Sequence, residues 1–259
     1  MLTMPSAPTA LQSLASDLLA AIDPVVFARS AGFDPDPWQS DVLRSPARRM
    51  LLNCSRQSGK STTTAAIAMH QALYVDDSLV LLLSPSQRQS AELFRKLAAM
   101  YTATGATVPP KAESALRLEL ENGSRVISLP AKEATIRGYS GVALLLIDEA
   151  SRVPDDLYAS VRPMLATSGG RLVAMSTPFG NRGWWYEAWR GPDDWKRVQV
   201  TAEQCPRIST PFLEEERRTI GEWWFSQEYM CQFLDAESQA FRTEDIERAF
   251  VDDVEQWEL

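Results

Sequence analysis

"CSRQSGKS", residues 54–61, sits between an apolar run, Met50–Cys54, and a stretch of helical character from about Lys60 to Tyr74. A strand, a tight loop ending in Gly-Lys-Ser and a helix make a phosphate cradle, because successive backbone N–H groups and the helix N-terminus point at one anion. Lys60 adds a point charge, the Ser61 hydroxyl stands where a Mg2+ ligand is needed, and Gly59 lets the backbone approach with no Cβ in the way. The strict pattern is Gly, four residues, then Gly-Lys-Ser/Thr. Gly59, Lys60 and Ser61 meet it, but Cys54 replaces the first glycine and Arg56 lies inside the loop. Cys54 must therefore be reached without positive φ. Ser55, Arg56, Gln57, Ser58, Gly59, Lys60, Ser61 and Thr62 are the candidate nucleotide-binding residues. A strand–turn–helix with no ligand fits the same letters, so the rest of the chain has to decide.

Outward from this loop, short apolar runs alternate with helical segments. Leu79–Leu83 reads as a second buried strand, followed by a helix from about Gln87 to Tyr101. Leu116–Leu120 and Arg125–Leu129 flank Glu121-Asn122-Gly123-Ser124, a hairpin turn because Asn-Gly accepts positive φ. Val142–Ile147 and Arg171–Ser176 are further continuous runs, and Trp195–Thr201 is a possible fifth. Such strands separated by helices predict a mainly parallel sheet covered on both faces, hence an α/β core. Ahead of the loop, Pro8–Ile22 carries Leu11, Leu14, Leu18, Leu19 and Ile22 on one helical face and is ended by Asp23-Pro24. Phe33–Trp38 is a proline-rich lead into a short helix. After Thr201, Phe212–Phe233 reads as helical and rich in Glu and Trp, and the tail from Glu237 is polar. The division expected is 1–34, an N-terminal helical segment packing on core or lid; 35–201, the core; and 202–259, a small helical lid. Trp184-Trp185, Trp189 and Trp223-Trp224 fit either a nucleic-acid stacking surface or the packing of core on appendage.

Composition narrows the function classes. A chain of 259 residues, 45% hydrophobic and 23% charged, is ordinary for one elaborated globular domain. A net charge of -8 argues against non-specific coating of nucleic acid and leaves room for a local basic patch. Lys and Arg clusters such as Arg48-Arg49 and Arg95-Lys96 would supply one. Three scattered cysteines and a single histidine, His70, exclude a disulfide framework and a zinc cluster, and His70 reads as a helix-surface residue. Neither a bilayer-length apolar run nor a signal peptide is legible, so a soluble, cytoplasmic protein without membrane partners is expected.

Four further motifs bear on chemistry. LLLIDEA, residues 144–150, delivers Asp148 and Glu149 at the end of an apolar strand, the former suited to Mg2+ and the latter to orienting and deprotonating water. An acidic pair there also serves helix capping. Trp38-Gln39 offers an amide able to pair with an adenine edge, or simply a tryptophan packing a short helix. Ser176-Thr177, ahead of Pro178, can sense the γ-phosphate or be a plain strand-end turn. Arg137, in TIRGYSG, is a candidate arginine finger acting within its own or on a neighbouring subunit, with Arg56 its rival.

In this order the motifs resemble the ATPase domain of large terminase subunits, the motors that package double-stranded DNA into viral capsids. The loop of that family commonly departs from the strict pattern and holds a basic residue, as Arg56 does here. Trp38-Gln39 resembles the family's adenine motif, Asp148 and Glu149 its magnesium and water-activating pair, and STPFGNRGWWYEAW, residues 176–189, its coupling motif. Arg137-Gly138 resembles the position of a trans-acting finger. The resemblance runs from about Pro35 to Phe250. It implies a RecA/ASCE-like P-loop NTPase core, ATP and Mg2+ as cofactors, and coupling through Ser176 and Thr177. It also implies double-stranded DNA, a self-associated ring (a pentamer on a portal), the small terminase subunit and the portal as partners, in the cytoplasm of an infected or lysogenic bacterial host. The nuclease domain of full-length members is expected to be missing, since AFRTEDIERAF, residues 240–250, resembles the junction where it begins. A helicase-type ATPase, or a module that binds nucleotide without hydrolysis, are the alternative readings. Glu149 speaks against the second.

Overall fold

The computed structural model describes residues 10–132, 136 and 138–235. Eight strands form one sheet in the order β3-β4-β5-β2-β6-β7-β1-β8. They are β1 (Arg49–Cys54), β2 (Leu79–Ser84), β3 (Pro110–Ser114), β4 (Arg117–Leu120), β5 (Arg125–Pro130), β6 (Val142–Asp148), β7 (Arg171–Ser176) and β8 (Lys196–Val200). The run β5-β2-β6-β7-β1-β8 pairs in parallel, and β3 and β4 join its edge antiparallel. β2 is buried at every position, as a strand with both faces covered must be. β4 and β5 form the hairpin expected around Asn122-Gly123.

Three short or medium helices precede β1: α1 (Ala10–Ile22), α2 (Pro24–Ser30) and α3 (Pro37–Leu43), the last being the short helix expected after the proline-rich lead. One face of the sheet is covered by α4 (Lys60–Tyr74) and α5 (Gln87–Ala103), which pack on Met50, Leu52, Val80 and Leu82. The other face is covered by α6 (Asp155–Val161) and α7 (Gly183–Arg190). There Trp184 and Trp185 are buried, Tyr158 stacks on Trp184 at 3.8 Å, and Trp184 Nε1 donates to Val153 O at 3.0 Å. These two tryptophans are core, and their faces are closed to nucleic acid. In α8 (Thr210–Glu228), Trp223 donates to Asp235 O, and Trp224 stays 43% exposed.

Five details differ from the sequence expectation. Asp23-Pro24 ends α1 but at once starts α2, because the Asp23 carboxylate caps Val25 N at 2.9 Å and Pro24 fits the first helical turn. The leucine stripe of α1, Leu11, Leu14, Leu18, Leu19 and Ile22, faces solvent, and α1 is held instead by buried Ala20 and by Asp17 on Tyr74. His70 is half-buried between Phe27 and Tyr74, beside Ala20 O at 3.1 Å, and burial holds its imidazole below the usual pKa. β3 has no apolar pattern, since all five residues are exposed on the sheet edge. Finally, α8 begins at Thr210, breaks at Gly221 (φ 81°, ψ 161°) and ends at Glu228, short of Phe233. The polar tail from Glu237 lies outside the described residues. Among the described residues no helix is long and apolar enough to cross a membrane.

The two tryptophan classes separate by stability. Trp184→Ala should lower unfolding free energy by about 3–5 kcal/mol, as large core truncations do, and Trp224→Ala by less than about 1 kcal/mol. Urea denaturation of the two variants, followed by circular dichroism, measures both.

Candidate nucleotide-binding site

The C-terminal ends of β1, β6 and β7 lie side by side, and the sequence motifs hang from them. Cys54 is the fully buried last residue of β1. The left-handed positions of the loop fall on Gln57 (φ 60°) and Gly59 (φ 92°), so the missing first glycine is not needed. Ser55 N donates to Val200 O at 2.9 Å, and Ser58 Oγ donates to Ser55 O at 2.9 Å. Lys60 is buried, with Nζ 3.5 Å from Ser55 O, and Thr62 N and Thr63 N close the first helical turn on Gly59 O. A Cβ at Gly59 would stand 2.6 Å from Gln39 Nε2, so glycine is required by space as well as by φ.

Gln39 is fully buried under this loop. Its Oε1 accepts from Asp36 N at 2.7 Å, and its Nε2 donates to Ser58 O at 3.4 Å. Both halves of the amide are thus engaged within the protein. Arg207 supports the same loop, donating to Ser58 O and pairing with Asp36. Trp38 packs on the core, its buried Nε1 without a hydrogen-bond partner among the described residues.

Asp148 ends β6 and is 8% exposed. Burial, reinforced by the Glu149 charge, pushes its carboxyl up to about 6, against the pull of Lys60. Glu149 takes left-handed backbone angles (φ 48°, ψ 45°), uncommon for a residue with a Cβ. It lines a cavity of about 460 Å3 together with Gln57, Gly59, Lys60, Ser61 and Thr62 of the loop. Arg56 and Arg152 edge the same cavity, as do Gln89 and Lys96 from α5. Sequence spacing pairs Lys96 with Arg95 as a basic cluster and passes over Gln89 and Arg152. The seven-residue step from Gln89 to Lys96, two helical turns, is the signal that they share a face.

Two links reach out from the cavity. Ser176, fully buried, holds Ser151 through Oγ at 2.7 Å, joining the end of β7 to the turn after the acidic pair. Glu228, at the end of α8 and 5% exposed, accepts from Arg56 Nε at 2.7 Å and lies 3.9 Å from Arg152 Nη2. Its own carbonyl accepts from Arg56 N at 3.2 Å. This bond to Glu228 raises the Arg56 guanidinium further above its usual value. The Arg152 guanidinium also sits 4.3 Å above the Phe179 ring, just after Thr177-Pro178. Arg137 lies outside the described residues. Among the described residues no trio of His, Cys, Asp or Glu is placed to hold a metal. One hydroxyl at Ser61 and one carboxylate at Asp148 is nevertheless the sparse oxygen set that Mg2+ takes when phosphates complete its shell.

Comparison with known proteins follows the same lines. Residues 51–248 match the family described as terminase large subunit, T4likevirus-type, N-terminal. The large terminase subunit of Escherichia phage T5 is 27% identical over 212 residues, covering 78% of this chain and 48% of that protein. That of Thermus virus P23-45 is 26% identical over 256 residues, covering 83% and 52%. The chain thus spans about half the length of these curated relatives. Among solved structures, the large terminase ATPase domain of Thermus phage P74-26 superimposes with a TM-score of 0.71 at 22% identity, covering 80% of this chain and 97% of that one. The large terminase of another thermophilic bacteriophage, in complex with ADP, gives 0.61 at 13% identity, covering 82% and 52%. With a matched segment that takes in residues 54–61, Asp148, Glu149 and Ser176, the chain belongs to the terminase large-subunit family through its N-terminal domain.

Proposed function

We propose that this chain is the ATP-hydrolysing motor domain of a large terminase, driving double-stranded DNA into a viral capsid. The observation that carries the reading is the left-handed turn at Glu149, whose carboxylate lines the cavity of Lys60 and Ser61 instead of capping the turn that follows. The complex of a large terminase of this fold with ADP supports a nucleotide as the ligand.

The proposal assigns each residue a role. Backbone N–H groups of Gln57 to Thr62 and the Lys60 ammonium bind the β- and γ-phosphates. Ser61 and Asp148 are the residues that would hold Mg2+, whose charge, when bound, offsets that of the phosphates. Glu149 orients a water molecule and takes its proton as the oxygen bonds to the γ-phosphorus and the bridging bond to ADP breaks. Trp38 and Gln39 border the adenine side. For Gln39 to read the base, its amide must trade Asp36 N and Ser58 O for the adenine edge. Ser176 and Thr177 relay the loss of phosphate from β7 to the turn at Ser151. Residues 35–201 are taken as the ATPase core, 202–259 as the lid and 1–34 as a helical segment beside them. Arg137 is assigned as the finger offered to a neighbouring subunit in a ring, with the small subunit and portal as further partners in the bacterial host's cytoplasm.

Arg56 is the rival finger, and in this structure Glu228 holds it. A half-exposed pair of this kind is worth about 1 kcal/mol, little enough for a γ-phosphate to displace. Arg56 therefore has two anions to choose between, and the lid is attached to one of them.

Three measurements test the reading. Glu149→Gln should cut the ATPase rate by about 10²–10⁴-fold with ATP affinity kept, and undiminished turnover would remove Glu149 from the mechanism. Glu228→Gln should raise the affinity for a fluorescent ATP analogue by about fivefold, the equivalent of about 1 kcal/mol. Unchanged affinity would mean that lid and phosphate do not compete for Arg56. The ATPase rate per subunit should climb with protein concentration in the natural chain and stay low in Arg137→Ala. A rate independent of both would transfer the finger to Arg56.

A further inference from the structure

At the opposite end of the sheet from the phosphate loop, the starts of β1, β7 and β8 carry an unassigned cluster of cations. Two hollows of about 410 and 440 Å3 lie side by side there and share Arg48 and Arg49 as a common wall. Arg162 and Tyr158 bound the first, and Lys196 and Asp194 the second. None of Arg48, Arg49, Arg162 and Lys196 has a carboxylate partner among the described residues. Asp194 is the one acid among the residues lining the two hollows, and Asp193 bears on Tyr158. Four cations against two acids leave an excess of positive charge in a chain whose net charge is -8.

Backbone and ring contacts border the hollows. Arg48 O accepts from Leu172 N at 2.8 Å, tying the residue to β7. Its guanidinium lies across Gly169 (φ 59°), where a Cβ would come within 3.2 Å of Nη1. Arg162 faces the Tyr158 ring at 5.8 Å, and that ring is itself stacked on buried Trp184. The planar forks of these guanidiniums match phosphate geometry.

We propose that this double hollow binds successive backbone phosphates of duplex DNA, at a site separate from the nucleotide. The inference rests on the DNA-packaging reading above. Two adjacent hollows with a shared cationic wall suit an anion that repeats at short intervals along one strand. An acidic protein surface needs no such repetition. The six residues of β1 put the site roughly 20 Å from the phosphate loop. The same strand thus carries the phosphate loop at one end and the DNA contact at the other.

The test is the binding of a fluorescein-labelled duplex of about 30 base pairs to the full chain, by anisotropy, across about 50 to 200 mM salt. The variants are Arg49→Ala with Arg162→Ala, the corresponding pair of lysines, and Lys196→Gln alone. Their melting curves and affinities for ATPγS serve as controls. The alanine pair should bind about tenfold more weakly at the lowest salt, with the slope of log K against log salt reduced by about 2. The lysine pair should recover most of that loss, Lys196→Gln should lower the slope by about 1, and nucleotide affinity should not move. If the alanine pair is too unstable to assay, the two other variants decide the matter in the same way. DNA affinity and slope equal to the natural chain's in folded variants would overturn the proposal. So would unchanged DNA affinity with weakened self-association, which would assign the hollows to an acidic surface of a second copy. A natural chain that ignores duplex at low salt also overturns it, while Glu149→Gln judges the hydrolytic reading separately.

Discussion

Everything at the nucleotide site depends on the parallel pairing of β6, β7 and β1. That ladder sets Asp148 beside Met175 and Asn53 beside Ser176, so the acidic pair, Ser176 and the loop at residues 54–61 emerge at one edge. A parallel register has no tolerance for error here, because a slip of one residue turns every side chain to the opposite face. Asp148 would then trade faces with Ile147, its apolar neighbour on β6. The hydrophobic strands that hold the register, buried on both faces, are therefore as necessary to the chemistry as the polar residues at their ends.

Within that frame the site is electrostatically poised. Asp148 is buried beside Glu149, a placement that raises its pKa and leaves Lys60 as the nearest compensating charge. Arg56 and Arg152 turn to Glu228. The carboxylate that receives them belongs to the end of α8, so charges that edge the cavity are tied to that helix. The buried Ser151–Ser176 bond and the Arg152–Phe179 contact extend the same network to the end of β7. A change at the phosphates thus has short, packed routes to two other elements, as a two-state mechanical element needs.

The sheet also gives the molecule two chemically different ends. Carboxylates and a phosphate loop occupy the C-terminal edge, and arginines occupy the N-terminal edge near β1, β7 and β8.

Local spacing determined much of this. The strands with continuous apolar runs, α4 and α5, the Asn122-Gly123 hairpin, the loop at residues 54–61 and the pair Asp148-Glu149 are all legible in the sequence, because each is set by neighbours a few positions away. Tertiary structure alone decided the rest. β3 is an exposed edge strand with no pattern to read. The amide of Gln39 is engaged because Ser58, nineteen residues on, comes to meet it. Arg56 meets Glu228 across 172 positions, and Arg48-Arg49 gains Arg162 and Lys196 only when β1, β7 and β8 are laid side by side. Sequence spacing encodes a period and a turn. Which distant charges share a hollow is fixed by the strand order, and that order is set by the packing of the whole sheet.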